Sequence, residues 1–154
     1  GFELFEHVAV RPGSEEYLDS EKYEYRPRDW AAAEESGRTL APYLTSLNGW
    51  RAAHPALRRL RNLHVHGSSN DKIMVFSKRE GDDVVLVVCT LDPYGVREGV
   101  LDLDLPALGL EWGDTFAAHD LVTGHTWPWG QFPYVRIDPY THVAHIVHVR
   151  PGAV

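Results

Sequence analysis

The chain has 154 residues, 44% apolar and 24% charged, so we expect one domain, or one with part of another, and a packed core without disulfides. The net charge of −7 argues against nucleic acid or an anionic membrane as the main partner, because both require clustered Lys and Arg. The single cysteine, Cys89, excludes an internal disulfide framework and suits a reducing compartment. No apolar run approaches the roughly 20 residues of a membrane span. We therefore expect a cytoplasmic protein.

The first 38 residues are predicted to have little regular structure. Residues 1–10 read as the end of a strand that leads into a turn at Pro12 and Gly13. This abrupt apolar start, without methionine, indicates a piece of a longer polypeptide. Ser14 would cap a short helix with acidic residues in its first turn, and Pro27 would end that helix. A polar linker at residues 34–38 follows.

The next segment shows the clearest helical pattern. Its apolar residues recur at spacings of three and four and form one stripe: Leu40, Tyr43, Leu44, Leu47 and Trp50. Thr39 is a plausible N-cap, and the helix should end near His54, before Pro55. Too little of the chain precedes this helix to bury its stripe well.

From residue 73 onward the apolar period changes to two, which predicts strands. Residues 73–77 and 84–91 would form a hairpin through the sequence EGDD, with the second strand central because it is apolar on both faces. Leu101, Leu103 and Leu105 alternate with aspartates, as in a half-exposed strand. Four further strands are expected at residues 115–119, 121–127, 134–137 and 142–149. About seven strands at this spacing indicate an all-β antiparallel sandwich.

The segment 14–30 holds the densest group of residues able to contact a polar ligand. Five neighbouring carboxylates at residues 15–24 are better explained as a solvated face than as a catalytic pair, because a catalytic acid needs a dry pocket that raises its pKa. Lys22 and Tyr23 offer hydrogen-bond donors and an acceptor that suit sugar hydroxyls. From pattern alone, a surface lysine beside a half-buried tyrosine is the simpler interpretation.

Two arginines in the same segment leave alternatives open. Arg26 and Arg28 would suit a phosphate, because guanidinium groups bind it through paired donors. A structural ion pair with Asp29 or Glu24 is the preferred interpretation.

The aromatic sequence WPWGQFPY at residues 127–134 allows two interpretations. Flat rings stack on sugars, so it would serve as a glucan platform, but the interleaved Pro and Gly favour a rigid structural loop. The nine histidines invite a metal hypothesis. In a strand, however, His145 faces away from His142 and His148, and His64 with His66 are weak evidence. We therefore expect no metal and no cofactor.

Several motifs resemble the α-amylase type of glycoside hydrolases, family 13. GFE at residues 1–3 is similar to the end of that family's eighth barrel strand, and RPRDW at residues 26–30 to the loop after it. RAAHPAL at residues 51–57 resembles the end of the last barrel helix. The resemblance implies residues 1–57 as the C-terminal end of a catalytic (β/α)8 barrel and residues 58–154 as a C-terminal β-sandwich.

One branch of the family fits more closely. PGSEEYLDSEKYE at residues 12–24, YVRIDP at 134–139 and AHI at 144–146 resemble the bacterial maltosyltransferases that lengthen α-1,4-glucan from α-maltose 1-phosphate. The resemblance implies a retaining double displacement whose catalytic carboxylates lie upstream of this chain. It also implies that Lys22 and Tyr23 bind the donor's maltosyl unit. Its implied partners are the donor, the glucan, the rest of the barrel and a second copy in a homodimer.

Two other functions remain open from the sequence. The chain would be a non-catalytic carbohydrate-binding β-sandwich with an N-terminal extension, or part of another family 13 enzyme, an α-glucan hydrolase or a branching enzyme. The apolar start and the stripe of the helix argue against a free module, and the motif at residues 12–24 argues against the other enzymes.

Overall fold

The computed structural model describes residues 1–18, 25 and 27–152. The chain divides into two compact units, Gly1–Gly49 and Trp50–Val154, and each is described by itself. In the described part of the chain, no helix has the length and apolar character needed to cross a membrane.

The start of the first unit differs from the prediction. Residues Phe2–Leu4 form a 3₁₀ helix, not the end of a strand, because the backbone closes its hydrogen bonds locally, from Leu4 N–H to the carbonyl oxygen of Gly1. The short helix predicted after Ser14 is also wrong for residues 14–18. There Tyr17 forms an antiparallel bridge with Ala9. A bridge between two segments of the same chain therefore replaces the local helical hydrogen bonds.

Two helices follow, α1 at Trp30–Glu35 and α2 at Ala41–Ala53. The Asp29 carboxylate caps α1 by accepting the Ala32 N–H at 2.9 Å. The Thr39 hydroxyl accepts the Ala41 N–H at 3.1 Å, but the N-cap is Leu40, one residue later than predicted, because its carbonyl accepts the first helical bond from Leu44. The helix ends one residue before His54, as predicted. No residue of α2 is fully buried.

The second unit is built from eight strands. Their bounds are β1 Leu63–Ser68, β2 Ile73–Glu80, β3 Asp83–Thr90, β4 Arg97–Asp102, β5 Phe116–Asp120, β6 Thr126–Trp129, β7 Tyr134–Ile137 and β8 Ala144–Pro151. They pair in the order β6-β5-β8-β3-β2-β1-β4-β7, and every pairing is antiparallel. The predicted antiparallel all-β class is confirmed, with the strands joined in one continuous sheet.

This sheet curls around its core. Trp129 of β6 and Ile137 of β7 come from opposite ends of the strand order, yet both belong to one buried cluster with Leu86 of the central β3. Such a cluster requires the two ends of the sheet to approach each other. The result encloses a core in the manner of a sandwich.

The β2–β3 hairpin confirms the clearest strand prediction. Glu80 pairs with Asp83 across a two-residue turn, and Gly81 takes the left-handed backbone conformation, φ 62°, that such turns require at their first position. β3 lies between β2 and β8. Val85 and Leu86, on opposite faces, are both fully buried, as expected of a central strand.

The strand predicted over residues 101–105 is displaced. β4 ends at Asp102, although Leu101, Leu103 and Leu105 are all fully buried. The alternation of burial thus continues beyond the end of β4, where the Leu103 N–H still donates to the Gln131 carbonyl at 3.0 Å, up to the 3₁₀ helix that begins at Pro106. β1 was not predicted: only one of its six residues, His66, is buried.

A short 3₁₀ helix, Pro55–Arg58, packs against β2 and β3. Its Ala56 is fully buried, and the Ala56 N–H donates to the Asp83 carboxylate at 2.8 Å. The Asn62 amide also donates to the Ala56 carbonyl at 2.9 Å. These bonds fix the residues after α2 to the sheet.

Candidate functional site

A cavity of about 530 Å³ lies in the first unit, within the size range of small-molecule sites. Phe2 and Phe5 supply apolar lining, and Arg38 supplies a cationic group. Tyr17 and Leu18 form another part of its wall. They are the last described residues before the segment 19–24, and they belong to the motif at residues 12–24 that the sequence singled out.

An arginine–carboxylate pair lies at this cavity. Arg28 donates through Nε to Glu6 Oε1 at 2.8 Å and through Nη2 to Glu6 Oε2 at 3.0 Å. The hydrogen bonds to Glu6 raise the pKa of Arg28 above its ordinary value. Arg28 therefore forms an ion pair with Glu6, 22 residues earlier. The predicted partner Asp29 caps α1 instead, and the other predicted partner, Glu24, lies outside the described residues.

The candidate donor-binding residues, Lys22 and Tyr23, lie outside the described residues, as do Arg26 and Glu24. Their roles stay predictions. Of the acidic residues in the same motif, Glu15 and Glu16 are described and exposed, in keeping with a solvated face.

The aromatic run forms a stack. The Trp127 ring lies 6.0 Å from that of His125 and 5.9 Å from that of Trp129, at interplanar angles of 20° and 12°. Trp129 in turn meets Phe116 edge-on at 6.4 Å and is only 7% exposed. Because these rings cover one another, the structural interpretation of the two tryptophans is favoured over a sugar platform.

The two histidines of β8, His145 and His148, do not contribute to one common site. His145 Nδ1 lies 3.0 Å from Asp120 Oδ2, whereas His148 Nε2 lies 3.6 Å from Asp83 Oδ1. The alternation of β8 thus separates His145 from His148, as predicted.

Asp120 is a fully buried carboxylate with a complete set of donors. Its Oδ1 accepts the N–H groups of Val122 and Ile146 at 3.2 and 3.1 Å. Its Oδ2 accepts the Thr123 hydroxyl at 2.7 Å and His145 at 3.0 Å. Burial alone would raise the pKa of Asp120, but these hydrogen bonds outweigh it and lower the pKa below its ordinary value. The carboxylate therefore ties β5, β8 and the turn after β5 together.

His66 is the buried member of the His64–His66 pair. Its Nδ1 accepts the Asp104 N–H at 3.1 Å, so its proton sits on Nε2, which donates to the Ser77 hydroxyl at 2.8 Å. Burial, together with His64, lowers the pKa of His66 to about 4. A second proton on the ring would also oppose the Asp104 N–H.

This histidine is expected to make stability depend on pH. Because the folded pKa lies below the ordinary 6.5, the contribution of His66 is complete above pH 6.5 and falls as the pH drops towards 4. The pKa difference corresponds to about 3 kcal/mol. We expect urea unfolding at a series of pH values to show that, as the pH falls from 6.5 to 4, the free energy of unfolding decreases less for His66→Gln than for the wild type. The exposed His142→Gln serves as control, and parallel profiles for all three proteins would contradict this role.

The structure brings together one group of metal-ligating side chains that the sequence does not predict. His54, Asp83 and His148 bring ligating atoms within 4.8 Å of one another, although they are separated by 29 and 65 positions in the sequence. No local spacing signals such a group.

Comparison with known sequences identifies close relatives. The chain is 53% identical over 150 residues to α-1,4-glucan:maltose-1-phosphate maltosyltransferase 2 of Streptomyces coelicolor. It is 52% identical over 151 residues to the maltosyltransferase of the same description from Mycobacterium tuberculosis, and 51% over 148 residues to that of Corynebacterium glutamicum. These alignments cover 95–97% of this chain but 22% of each relative.

Solved structures agree on the fold. An Anoxybacillus α-amylase superposes with a TM-score of 0.53 at 21% identity, over 76% of this chain and 24% of its own. The protein AmyP, in a crystal structure with maltotriose, gives a TM-score of 0.51 at 20% identity, over 73% of this chain and 21% of its own. At this identity the likeness concerns the fold alone.

The family model described as GLGE, C-terminal, matches residues 65–149, which comprise nearly all of the eight strands. Together with the identities to the three maltosyltransferases, this match defines the family. The chain therefore belongs to the family described as GLGE, C-terminal, and is similar in sequence to the C-terminal part of the three maltosyltransferases.

Proposed function

We propose that the chain is the C-terminal part of a maltosyltransferase that moves maltosyl units from α-maltose 1-phosphate to the non-reducing end of an α-1,4-glucan, with release of phosphate. The observation that carries this proposal is the identity of 52–53% across 97% of the chain to relatives whose names state this donor and acceptor. Because the chain spans 22% of those relatives, the proposal concerns the longer polypeptide.

In this proposal, residues 1–57 complete a (β/α)8 barrel and residues 58–154 form the C-terminal β domain. The character of α2 supports a further neighbour, because it has an apolar stripe but no fully buried residue. A helix with one apolar stripe is stable when that stripe is covered. The last barrel strands and helices of an upstream segment would provide the cover, and the complete protein would form a homodimer.

The chemistry would be a retaining double displacement. An aspartate attacks the anomeric carbon, a glutamic acid assists the departing phosphate, and the maltosyl-enzyme is then taken by a glucan 4-hydroxyl. Such a mechanism needs two carboxyl groups about 5–5.5 Å apart in a site that excludes water. The exposed Glu15 and Glu16 lack that environment. We assign the catalytic pair to the upstream part of the barrel.

This chain's contribution to the donor site would be Lys22 and Tyr23. An ammonium group offers three donors to sugar hydroxyls, and a phenol offers a donor and an acceptor. Support comes from the cavity in the first unit, whose wall includes Tyr17 and Leu18 of the same motif, four residues before Lys22. The Arg28 guanidinium is already paired with Glu6. We therefore assign the sugar contacts to Lys22 and Tyr23 and not to Arg28.

Steady-state kinetics of the full-length polypeptide test this assignment. Lys22→Ala should lower kcat/KM for α-maltose 1-phosphate by about 10- to 100-fold, since a hydrogen bond from a charged group contributes about 1.5–3 kcal/mol. Tyr23→Phe should lower it by roughly 2- to 10-fold, the range of a neutral hydrogen bond. The measurement is phosphate release with varied donor at saturating glycogen.

Lys72→Ala provides the matched control, because Lys72 is an exposed lysine of the β domain and should leave donor kinetics unchanged. Unchanged kcat/KM in both motif variants, with activity otherwise intact, would remove Lys22 and Tyr23 from the donor site. The maltosyltransferase assignment itself would then still stand on the activity of the wild type.

A further inference from the structure

The group formed by His54, Asp83 and His148 lies within the second unit, on the outer face of the curled sheet. Asp83 Oδ1 is 2.8 Å from His54 Nδ1 and 3.6 Å from His148 Nε2. The two imidazole rings meet edge-on, with centroids 4.7 Å apart. The three side chains are 13%, 16% and 26% exposed, so the group is shielded yet open to solvent on one side.

Rigid elements hold each of these side chains. Asp83 is the first residue of β3, and His148 lies on β8 opposite Val85, two positions further along β3. His54 follows α2 directly, and its N–H donates to the Trp50 carbonyl at 2.9 Å. Side chains anchored in this way lose little freedom when they bind a common ligand.

The distances match a tetrahedral metal centre. Zn²⁺ binds imidazole nitrogen at about 2.0–2.1 Å and carboxylate oxygen at about 2.0–2.2 Å. Tetrahedral geometry then sets the ligand atoms roughly 3.3 Å apart. The observed 2.8 and 3.6 Å from Asp83 to the two histidines lie on either side of this value. All three atoms lie within 4.8 Å of one another, so side-chain rotations would bring them onto one ion. The fourth position would face solvent and hold water.

The second oxygen of Asp83 supplies the outer contact that metal-ligating carboxylates usually have. Asp83 Oδ2 accepts the Ala56 N–H at 2.8 Å, which directs Oδ1 towards the two histidines. Such contacts orient the ligands and are part of functional metal sites. A neutral imidazole carries one proton, and when that proton lies on Nε2 the Nδ1 lone pair of His54 is free for a metal.

One neighbouring cation opposes binding. Arg150 Nε lies 3.4 Å from His148 Nδ1 and donates to it, which places the His148 proton on Nε2. Coordination through Nε2 requires the proton on Nδ1 instead, so the exposed Arg150 side chain must turn away. Arg150 therefore opposes metal binding, because it favours the form of His148 with its proton on Nε2.

We propose that His54, Asp83 and His148 form a binding site for a divalent transition-metal ion of the zinc class. Two imidazoles and one carboxylate form a ligand set of the kind that Zn²⁺ uses when it keeps an open position. The ion would link the end of α2 to β3 and β8. This proposal does not depend on the reaction of the complete protein.

Equilibrium dialysis of the metal-stripped chain against Zn²⁺ tests the proposal, with elemental analysis of bound metal. We expect one Zn²⁺ per chain, and visible absorption of bound Co²⁺ typical of four-coordinate geometry. His148→Gln and Asp83→Asn should each weaken Zn²⁺ binding by tenfold or more. Arg150→Gln should tighten it, because it removes the competing donor and a positive charge.

His125→Gln is the matched control, since His125 is an exposed histidine outside the group, and it should bind as the wild type does. Far-UV circular dichroism and urea unfolding without metal verify that each variant is folded. Absence of stoichiometric Zn²⁺ binding by the wild type would overturn the site. So would binding that His148→Gln, folded as the wild type, leaves unchanged.

Discussion

Replacing Asp120 with alanine should lower the free energy of unfolding by about 3–5 kcal/mol, the range for breaking a buried charged network. The carboxylate is fully buried, and its two oxygens accept four hydrogen bonds, two each. Alanine would leave these donors, including His145 and the Ile146 N–H, unsatisfied in the interior. Unsatisfied buried groups retain the full cost of their desolvation.

Urea unfolding followed by tryptophan fluorescence measures this loss. Asp71→Ala is the control, because the Asp71 side chain is 84% exposed and its removal should change stability by no more than about 0.5 kcal/mol. Asp120→Asn keeps the shape of the side chain, but its amide NH₂ would face groups that are themselves hydrogen-bond donors. This variant should therefore also be destabilised. Equal stability of the two alanine variants would show that the network does not hold β5 to β8.

Phe116→Ala should lower the free energy of unfolding by about 3–5 kcal/mol, as large-to-small changes of buried aromatic residues do. The Phe116 side chain is fully buried and packs edge-on against Trp129 at 6.4 Å. Its loss would leave a cavity in the cluster that joins the two ends of the curled sheet. The cavity adds to the cost of the lost apolar contacts.

The chain supplies a matched control in Phe132, whose side chain is 61% exposed. Phe132→Ala should stay within about 0.5 kcal/mol of the wild type. Both variants are compared by their urea midpoints and slopes. A loss in Phe132→Ala as large as that in Phe116→Ala would contradict the assignment of the core to the inner face of the sheet.

The parts of the fold that depend on local pattern were predictable. β3 is apolar on both faces, and this property alone predicts a strand with neighbours on each side. The hairpin turn follows from Gly81, and α2 follows from its stripe and from the Pro55 that ends it. In each case the signal lies within about ten residues of sequence, so no knowledge of distant partners is needed.

The elements that depend on distant partners were not predictable. β1 exposes most of its side chains and is a strand because β2 and β4 pair with it. Conversely, the apolar residues at 1–5 resemble a strand but pair with no strand in the described part of the chain, and Phe2–Leu4 form a 3₁₀ helix instead. The sequence pattern predicts which residues are buried better than it predicts which strands pair, as these two segments show.

The same limit applies to the side-chain clusters. Arg28 finds Glu6 across 22 residues, and His54 finds Asp83 across 29, contacts that only the folded chain creates. The family, by contrast, was recognisable from the sequence, because the motif at residues 12–24 and the HPAL stretch at 54–57 are contiguous. Contiguous motifs predict identity, whereas the geometry of a site requires the structure.

The proposed function of the complete protein is the transfer of maltosyl units. Its most direct test is phosphate release from α-maltose 1-phosphate by the full-length polypeptide, with and without glycogen. We expect glycogen-dependent phosphate release together with lengthening of the glucan chains. Absence of glycogen-dependent release from a well-folded full-length protein would contradict the claim and leave a carbohydrate-binding module or a different family 13 activity.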